Sequence, residues 1–342
     1  MTAPAHPAVP GPGGLIGAGG SGRFHAESLA RRVPGARLAV VADPAPGVAA
    51  ELAAELACDV TYDDGRDLIA DDRVEAVLIA APPRFHADLV VAAAEAGKAV
   101  FCEKPMAVTR EDAERAVRAA AGVPLQVGFN RRFDRGFRAA RDMVVAGQVG
   151  TPQLLRSLTR DPGIPDPGAL RPSTIFLETL IHDFDTLRYL NPGAAAVDVY
   201  AVADALAYPA YAGQGLQDTA VVVVRFDNGA MATAEASFNA VYGYDIRGEV
   251  FGSEGMVTAG DQRRTTATYF GAQGVVGDSW QRNIELFHDA YVAELAAFVA
   301  CARDGATPEV TGEDALAALT IALAAIRSAA QRRPVGVDEV GG

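Results

Sequence analysis

Residues 176–190 read FLETLIHDFDTLRYL, where a glutamate, a histidine and two aspartates are set among leucines, isoleucine and phenylalanines. A carboxylate four residues before an imidazole can be an acid/base pair, two ligands of a metal ion, or simply a solvated helix face. At 100° per residue Glu178, His182, Asp185 and Tyr189 fall within an arc of about 60°, while Phe176, Leu177, Leu180, Phe184 and Leu187 gather on the far side. Taken alone, the stretch predicts an amphipathic helix with its polar face in water. Two further clusters could do chemistry. Gly17-Ala-Gly19-Gly-Ser21-Gly22 fits G-x-G-x-x-G after an apolar Leu15-Ile16 and before the helical GRFHAESLARR. Such glycines allow a tight turn and close approach of backbone to a pyrophosphate at a helix N-terminus. Lys104 stands in CEKP, directly after the apolar KAVF. A lysine so placed can reach a ligand or simply sit on the surface, and proline favours an extended backbone before it.

These groups need a scaffold, and the sequence alternates in the way that supplies one. From Leu15 to about Gly128, short apolar runs (RLAVVAD, VEAVLIAA, KAVFCEK, PLQVGF) alternate with helical patterns (PGVAAELAAEL, FHADLVVAAAEAG, REDAERAVRAAAG). Strand alternating with helix predicts a doubly wound parallel sheet, an α/β Rossmann half, with KAVFCEK as its fifth strand. Ligands of such sheets bind outside the carboxyl ends of the strands, where Lys104 falls. Asp43 ends the second strand about 20 residues after Gly22, the place of a carboxylate that accepts from adenosine ribose hydroxyls. That carboxylate repels a 2′-phosphate, and DPAPG supplies no cation, so NAD is favoured over NADP. Pro10, Gly11, Pro12, Gly13 and Gly14 weaken the start of the first strand, so that the strand must be short or the affinity for the cofactor reduced. After a helix near 135–146 come long strand-like runs with turn signals, including Asp-Asn-Gly at 227–229, and then helices near 283–303 and 312–331. The second started by Thr311 with Asp314 in a capping-box pattern. The expectation is a Rossmann domain over 1–128, with 1–13 disordered, and an α+β domain over 129–342 carrying an open, mostly antiparallel sheet.

Composition excludes several classes of function. The 30 basic and 43 acidic residues give a net charge of −13, which repels nucleic acid and anionic membranes. Cys58, Cys102 and Cys301 are odd in number and far apart, so they indicate neither a disulfide framework nor a cysteine zinc site. No run approaches the roughly 18 apolar residues of a membrane span, and no signal peptide precedes the first strand. A soluble cytoplasmic protein is expected. Of the histidines His6, His25, His86, His182 and His288, none pairs with another at ligand spacing, so no metal is expected.

Taken together, GAGGSG, Asp43, CEKP, GFNRRFD at 128–134, RDP at 160–162, ETLIHDFD, YGYDIRGEVFGSEG at 242–255 and the terminal ELAAFVACARDG and AALTIALAAIRSA resemble the glucose-fructose oxidoreductase/inositol 2-dehydrogenase/rhizopine catabolism (Gfo/Idh/MocA) family over nearly the whole chain. YGYD and TLIHDFD narrow the resemblance toward its inositol 2-dehydrogenases. The resemblance implies that Lys104 and His182 line the site beside the nicotinamide. His182 would be general base on a substrate hydroxyl as hydride leaves the same carbon, and Lys104 would stabilise charge developing on that oxygen. Glu178 stands at the family's usual aspartate and would orient His182 or bind a neighbouring hydroxyl. Asp183 and Asp185 are read as a helix-face pair without a catalytic part. Gly17, Gly19, Ser21, Gly22, Asp43, Pro82, His86, Glu103 and Lys104 are the expected cofactor residues, with capping an equal alternative for His86 in PPRFHADL. Arg131, Thr159, Asp161 and Tyr244 would join Glu178 and His182 around a polyol, with Thr159 where some inositol dehydrogenases have histidine. Trp280 and the FNA/VYGY aromatics would pack the sheet or a subunit interface. The implied activity is NAD-dependent hydride transfer at a secondary alcohol or ketone of a cyclitol or sugar. Alternatives are a sugar or aminocyclitol ketoreductase or tailoring enzyme, or an NAD-holding glycosidase or sensor without net redox. Family members commonly pair their open sheets, so a homo-oligomer, a dimer or tetramer, is implied.

Overall fold

A computed structural model describes residues 13–58, 60–261, 263–272 and 274–340. The expected disorder of residues 1–12, and His6 with it, lies outside the described residues; Gly13, expected in that extension, instead opens the first strand. The chain divides into two compact units, 1–130 with 291–316 and 131–290 with 317–342.

The first unit begins β1 (Gly13–Ile16), α1 (Gly20–Arg31), β2 (Leu38–Ala42), α2 (Val48–Leu56), β3 (Val60–Tyr62) and α3 (Gly65–Ala70). It continues β4 (Ala76–Ile79), α4 (His86–Glu95), β5 (Ala99–Cys102), α5 (Arg110–Ala119) and β6 (Leu125–Val127). All six strands run parallel in the order β3-β2-β1-β4-β5-β6, the doubly wound order. Burial on both faces is why β2 and β5 are apolar throughout, with every residue buried. β1 has only four residues, as the Pro/Gly-rich start requires, yet it holds the central position between β2 and β4.

The second unit contains α6 (Arg135–Val145), β7 (Pro152–Arg160), a π-helical turn (Ile175–Leu180) leading into α7 (Ile181–Tyr189), and β8 (Ala196–Asp204). Then follow β9 (Thr219–Phe226), β10 (Met231–Ser237), β11 (Asp245–Gly252), β12 (Met256–Ala259) and a separate hairpin of β13 (Thr268–Gly271) and β14 (Gly274–Gly277). α8 (Asn283–Leu286), α9 (His288–Asp304), α10 (Gly312–Gln331) and β15 (Val335–Gly336) close the chain. The seven-stranded sheet has the order β12-β11-β7-β10-β9-β8-β15 and is antiparallel at every pair except β7 with β10. The expected hairpin at Asp-Asn-Gly joins β9 to β10. Thr311 and Asp314 exchange backbone-to-side-chain bonds at 3.2 Å each, the capping box that starts α10.

The expected division at 128/129 falls two residues before the first unit's opening segment ends, and residues 291–316 return to that unit. The cause is apolar: Leu295 and Phe298 of α9, 0% and 3% exposed, complete the cluster that contains Leu15, Leu29, Val41, Leu52 and Phe101. Helical periodicity shows that such a segment is amphipathic but not which core it faces.

The expected solvated face of FLETLIHDFDTLRYL needs a larger correction. Its first five residues, 176–180, lie in the π turn, so a 100° wheel does not apply to them. Glu178 is exposed and His182 half-buried, but Asp183 and Asp185 are 0% and 1% exposed. Asp183 Oδ1 accepts from Arg131 Nη1 at 2.8 Å and from Ser157 Oγ at 2.6 Å, and Asp183 Oδ2 accepts from Thr159 Oγ1 at 2.7 Å. Asp185 takes a two-pronged contact from Arg132, Nε at 2.9 Å and Nη2 at 2.5 Å. Tyr189 is flanked by the guanidiniums of Arg132 and Arg141, 5.3 and 4.6 Å from its ring centroid. The two aspartates are the anchors of the helix.

Removing one partner of a buried pair leaves the other charge out of water, so Asp183→Ala should cost about 3–5 kcal/mol of unfolding free energy. Arg131→Met combined with Asp183→Leu should recover much of that loss. Chemical denaturation decides the matter; a loss below about 1 kcal/mol for Asp183→Ala contradicts the anchoring role.

Candidate functional site

In the first unit the site starts at the carboxyl edge of the sheet, where the parallel strands release the chain. Gly17 leaves β1 with φ +93°, and a Cβ there would stand 2.6 Å from the carbonyl oxygen of Ala80. A Cβ on Gly22 would fall 1.8 Å from the carbonyl oxygen of Gly17, so α1 can approach the strand only as glycine. Gly19, Gly20 and Ser21 are exposed, and added Cβ atoms on the two glycines would meet nothing within 4 Å. The first turn of α1 has no side-chain cap and no acidic residue. Open N–H groups at a helix start beside glycines fit the pyrophosphate of a dinucleotide.

Asp43, at the end of β2, binds this turn directly: Oδ2 accepts from the N–H of Ala18 and Oδ1 from that of Ala45, both at 2.8 Å. Each oxygen keeps a further lone pair, so the contacts leave room for ribose hydroxyls. Pro82 is exposed at the end of β4. His86 differs from the expectation that it borders the nicotinamide ribose. It is 1% exposed, with Nε2 2.6 Å from the carbonyl oxygen of Ala81 and Nδ1 2.8 Å from that of Pro105. Burial lowers its pKa despite those carbonyls, and a neutral ring donates to only one of them. The imidazole ties the segment after β4 to the segment after Lys104 and caps no helix.

Glu103 and Lys104 follow β5 on the same edge as Gly17 and Asp43. Glu103 Oε2 accepts the peptide N–H of Lys104 at 3.1 Å, and Oε1 lies 2.6 Å from His25 Nε2. Both carboxyl oxygens are thus engaged in holding the chain. The chain has only two lysines, Lys98 and Lys104. Lys98 is 8% exposed and donates its Nζ to the carbonyls of Asp71 and Val74, at 3.0 and 2.5 Å.

In the second unit His182 lies in the first turn of α7, next to the Asp183 anchor, and its carbonyl accepts from Thr186 Oγ1 at 2.8 Å. Glu178 projects from the π turn before it. Arg131 and Thr159 were expected around a polyol; the structure places them 4% exposed, bonded to each other at 2.5 Å and both to Asp183. Their polar atoms hold the helix that carries His182. Asp161 and Tyr244 are brought together, because the pairing of Arg160 with Asp245 aligns the end of β7 with the start of β11. Burial raises the Tyr244 phenol well above its ordinary value, and the Asp161 charge adds to the effect. Trp280 joins this region by accepting the Tyr244 N–H on its carbonyl at 2.7 Å. Ser157, Asp183, Arg132 and Asp185 were missed as site-forming residues; consecutive arginines at 131–132 and Asp-x-Asp at 183–185 were the available signal. Among the described residues, one group offers three metal-type ligands, His25, Glu103 and Glu294.

Residues 13–130 match the family model for an oxidoreductase family with an NAD-binding Rossmann fold, and residues 137–258 match the Gfo/Idh/MocA C-terminal domain. The chain is 39% identical to a myo-inositol 2-dehydrogenase of Thermotoga maritima, over 96% of this chain and 99% of the relative. It is 37% identical to a scyllo-inositol 2-dehydrogenase (NAD(+)) of Bacillus subtilis, over 95% of each. The crystal structure of scyllo-inositol dehydrogenase from Lactobacillus casei with bound NAD(H) and scyllo-inositol aligns with a TM-score of 0.92 at 28% identity, covering 96% of this chain and 99% of that one. No helix among the described residues is long and apolar enough to cross a membrane. With a Rossmann unit whose glycine turn is open for a dinucleotide and both family domains matched, the chain belongs to the Gfo/Idh/MocA family of oxidoreductases.

Proposed function

We propose that this protein is an NAD-dependent dehydrogenase that acts on a secondary alcohol of a cyclitol, an inositol or a close polyhydroxylated relative. The observation that carries the reading is the placement of Lys104 on the same carboxyl edge of the parallel sheet as the open glycine turn and Asp43. The names of the relatives, myo- and scyllo-inositol 2-dehydrogenase, supply the substrate class. Gly17, Gly19, Ser21, Gly22 and Asp43 would hold NAD, which would supply the hydride acceptor. His182 removes the proton of the substrate hydroxyl, and Lys104 donates a hydrogen bond to the oxygen as it becomes a carbonyl. In the reverse direction His182 returns that proton. Glu178, exposed before His182, meets a neighbouring hydroxyl, and Asp161 with Tyr244 offers a second polar contact. The protein works in the cytoplasm.

We infer that two or four copies associate through the open face of the seven-stranded sheet. Leu154, Val221, Val223, Met231, Phe251 and Met256 are 43% to 58% exposed. Strand register puts all six on one face. This face, which also carries the Arg156–Glu235 and Arg225–Asp198 ion pairs, suits a self-complementary contact with a second copy.

With NAD and a panel of inositols, absorbance at 340 nm should rise for at least one. His182→Ala should lower kcat by roughly 100- to 10,000-fold and Lys104→Ala by roughly 100- to 1,000-fold. The reading fails if no polyol reduces NAD, or if both variants keep wild-type turnover. Asp43→Ala should raise the ratio of NADP to NAD activity; an unchanged ratio means that Asp43 does not set cofactor choice. By light scattering, the wild type should have the mass of a dimer or tetramer and Val223→Glu that of a monomer, whereas a monomeric wild type rules out the interface.

A further inference from the structure

The carboxyl group of Glu103 meets two other side chains in the first unit: His25 from α1 and Glu294 from α9. His25 Nε2 is 2.6 Å from Glu103 Oε1, and one donor or acceptor atom from each of the three residues lies within 4.8 Å of the other two. His25 and Glu294 are 0% exposed. The rings of Phe101 and Tyr291 close on His25 with centroids 5.6 and 5.7 Å away. Gly128 completes the wall, since a Cβ there would stand 3.2 Å from Phe101 and 3.3 Å from the Glu103 carboxyl. Gln126 of β6 donates its Nε2 to the Glu294 carbonyl at 2.7 Å.

Four atoms in this region, His25 Nδ1, Gln126 Oε1 and both carboxyl oxygens of Glu294, have no hydrogen-bond partner among the described residues. Unpartnered polar atoms are rare in interiors, so their concentration here calls for a shared proton or a bridging water. Burial pushes the Glu294 carboxyl well above the ordinary range, and the Glu103 charge pushes it further. Burial would also raise Glu103, but the His25 hydrogen bond and the charges of His25, Lys104 and His86 outweigh it and hold Glu103 below its ordinary value. Two neighbouring carboxyls driven apart in this way become one acid and one anion. A zinc ion is the poorer explanation. Two of its ligands, each about 2.0–2.1 Å from the metal, stand about 3.3 Å apart in a tetrahedral site, whereas His25 and Glu103 are already closed to 2.6 Å.

We propose that His25, Glu103 and Glu294 form a clamp that positions Lys104: His25 holds the Glu103 carboxylate, which in turn holds the Lys104 peptide N–H, with the Glu294 carboxyl buried within 4.8 Å of both. The clamp rests on the reading of Lys104 as catalytic and adds how that lysine is held. Ionising Glu294 sets two carboxylates against each other and loosens the acceptor of the Lys104 N–H. The titratable groups facing the clamp are Lys104 and His86 beside Glu103, the buried Cys102 thiol, and Tyr291 beside His25. The sign follows from Glu294. A carboxyl raised in the folded state contributes stability that is complete below its ordinary pKa and is lost as pH rises through the raised value.

Two lysines make the test direct, because [15N]lysine labelling of the full chain gives two amide signals, Lys98 and Lys104. As pH rises above the ordinary carboxylate range the Lys104 signal should titrate in the wild type and stay fixed in Glu294→Gln, with Lys98 as control. Over the same range the melting temperature of Glu294→Gln should gain on that of the wild type. His25→Ala should lower kcat about 10-fold or more, with KM for the polyol within about threefold, and His25→Gln, which keeps an N–H donor, should restore most of it. Identical Lys104 titrations in the two proteins, a constant melting gap, or full turnover in His25→Ala would each overturn the clamp. Added zinc that raises the melting temperature of the wild type but not of Glu294→Gln would replace it with a metal site. If no polyol yields NADH, the dehydrogenase reading fails, while the labelled signals and the melting curves, which need no turnover, still decide the clamp.

Discussion

The guanidinium of Arg131 and the carboxylate of Asp183 lie 2.8 Å apart, 4% and 0% exposed, and the adjacent residues Arg132 and Asp185 repeat the arrangement. In a low-dielectric interior neither member of such a pair is tolerated alone, so the pairs stand or fall together. A helix carrying two buried carboxylates opposite two consecutive arginines has one position in which both are matched, and a shift of one turn would strip both. Ser157 and Thr159 on β7 add hydroxyl donors to Asp183, which ties the helix to the sheet as well. His182 immediately precedes Asp183 and therefore inherits this fixed position. The catalytic assignment of an imidazole depends on such placement, since an error of about 1 Å costs roughly 100-fold in rate.

The first unit meets the same constraint differently. Its charge beside Lys104 is Glu103, whose neighbours are a histidine and a second carboxyl rather than an arginine. One buried carboxyl can remain an anion there only if the other stays protonated. The outcome is again positional: a carboxylate holds the peptide N–H at the residue that carries the ammonium group. In each unit the residue proposed to meet substrate is adjacent in sequence to the charge that fixes it, Glu103 before Lys104 and Asp183 after His182.

Local patterns were legible in the sequence. The βα alternation gave the parallel sheet, the G-x-G-x-x-G spacing gave the turn after β1, and Asp-Asn-Gly gave the β9–β10 hairpin, because each depends on neighbours within a few residues. The shortness of β1 was also legible from its Pro/Gly-rich start, though its four-residue length was not. What stayed hidden depends on distant partners. Asp183 and Asp185 read as solvated because their guanidiniums come from about 50 residues earlier in the chain, and a helical wheel cannot see them. His25 and Glu294 gave no signal, since a lone histidine on a helix and a glutamate among alanines are ordinary until folding brings them to Glu103. The π turn at 175–180 has no recognisable pattern, and the return of 291–316 to the first unit is a packing choice between two apolar cores.

The chemistry assigned to these groups is the movement of a hydride from a ring carbon and a proton from its hydroxyl. The most direct measurement is isotopic: inositol deuterated at its ring carbons is incubated with the protein and NAD, and the reduced cofactor is examined by mass spectrometry and NMR. The account predicts one deuterium at C4 of the nicotinamide for every ketone formed. NADH without deuterium, or deuterated inositol left unoxidised while another class of substrate turns over, would contradict it.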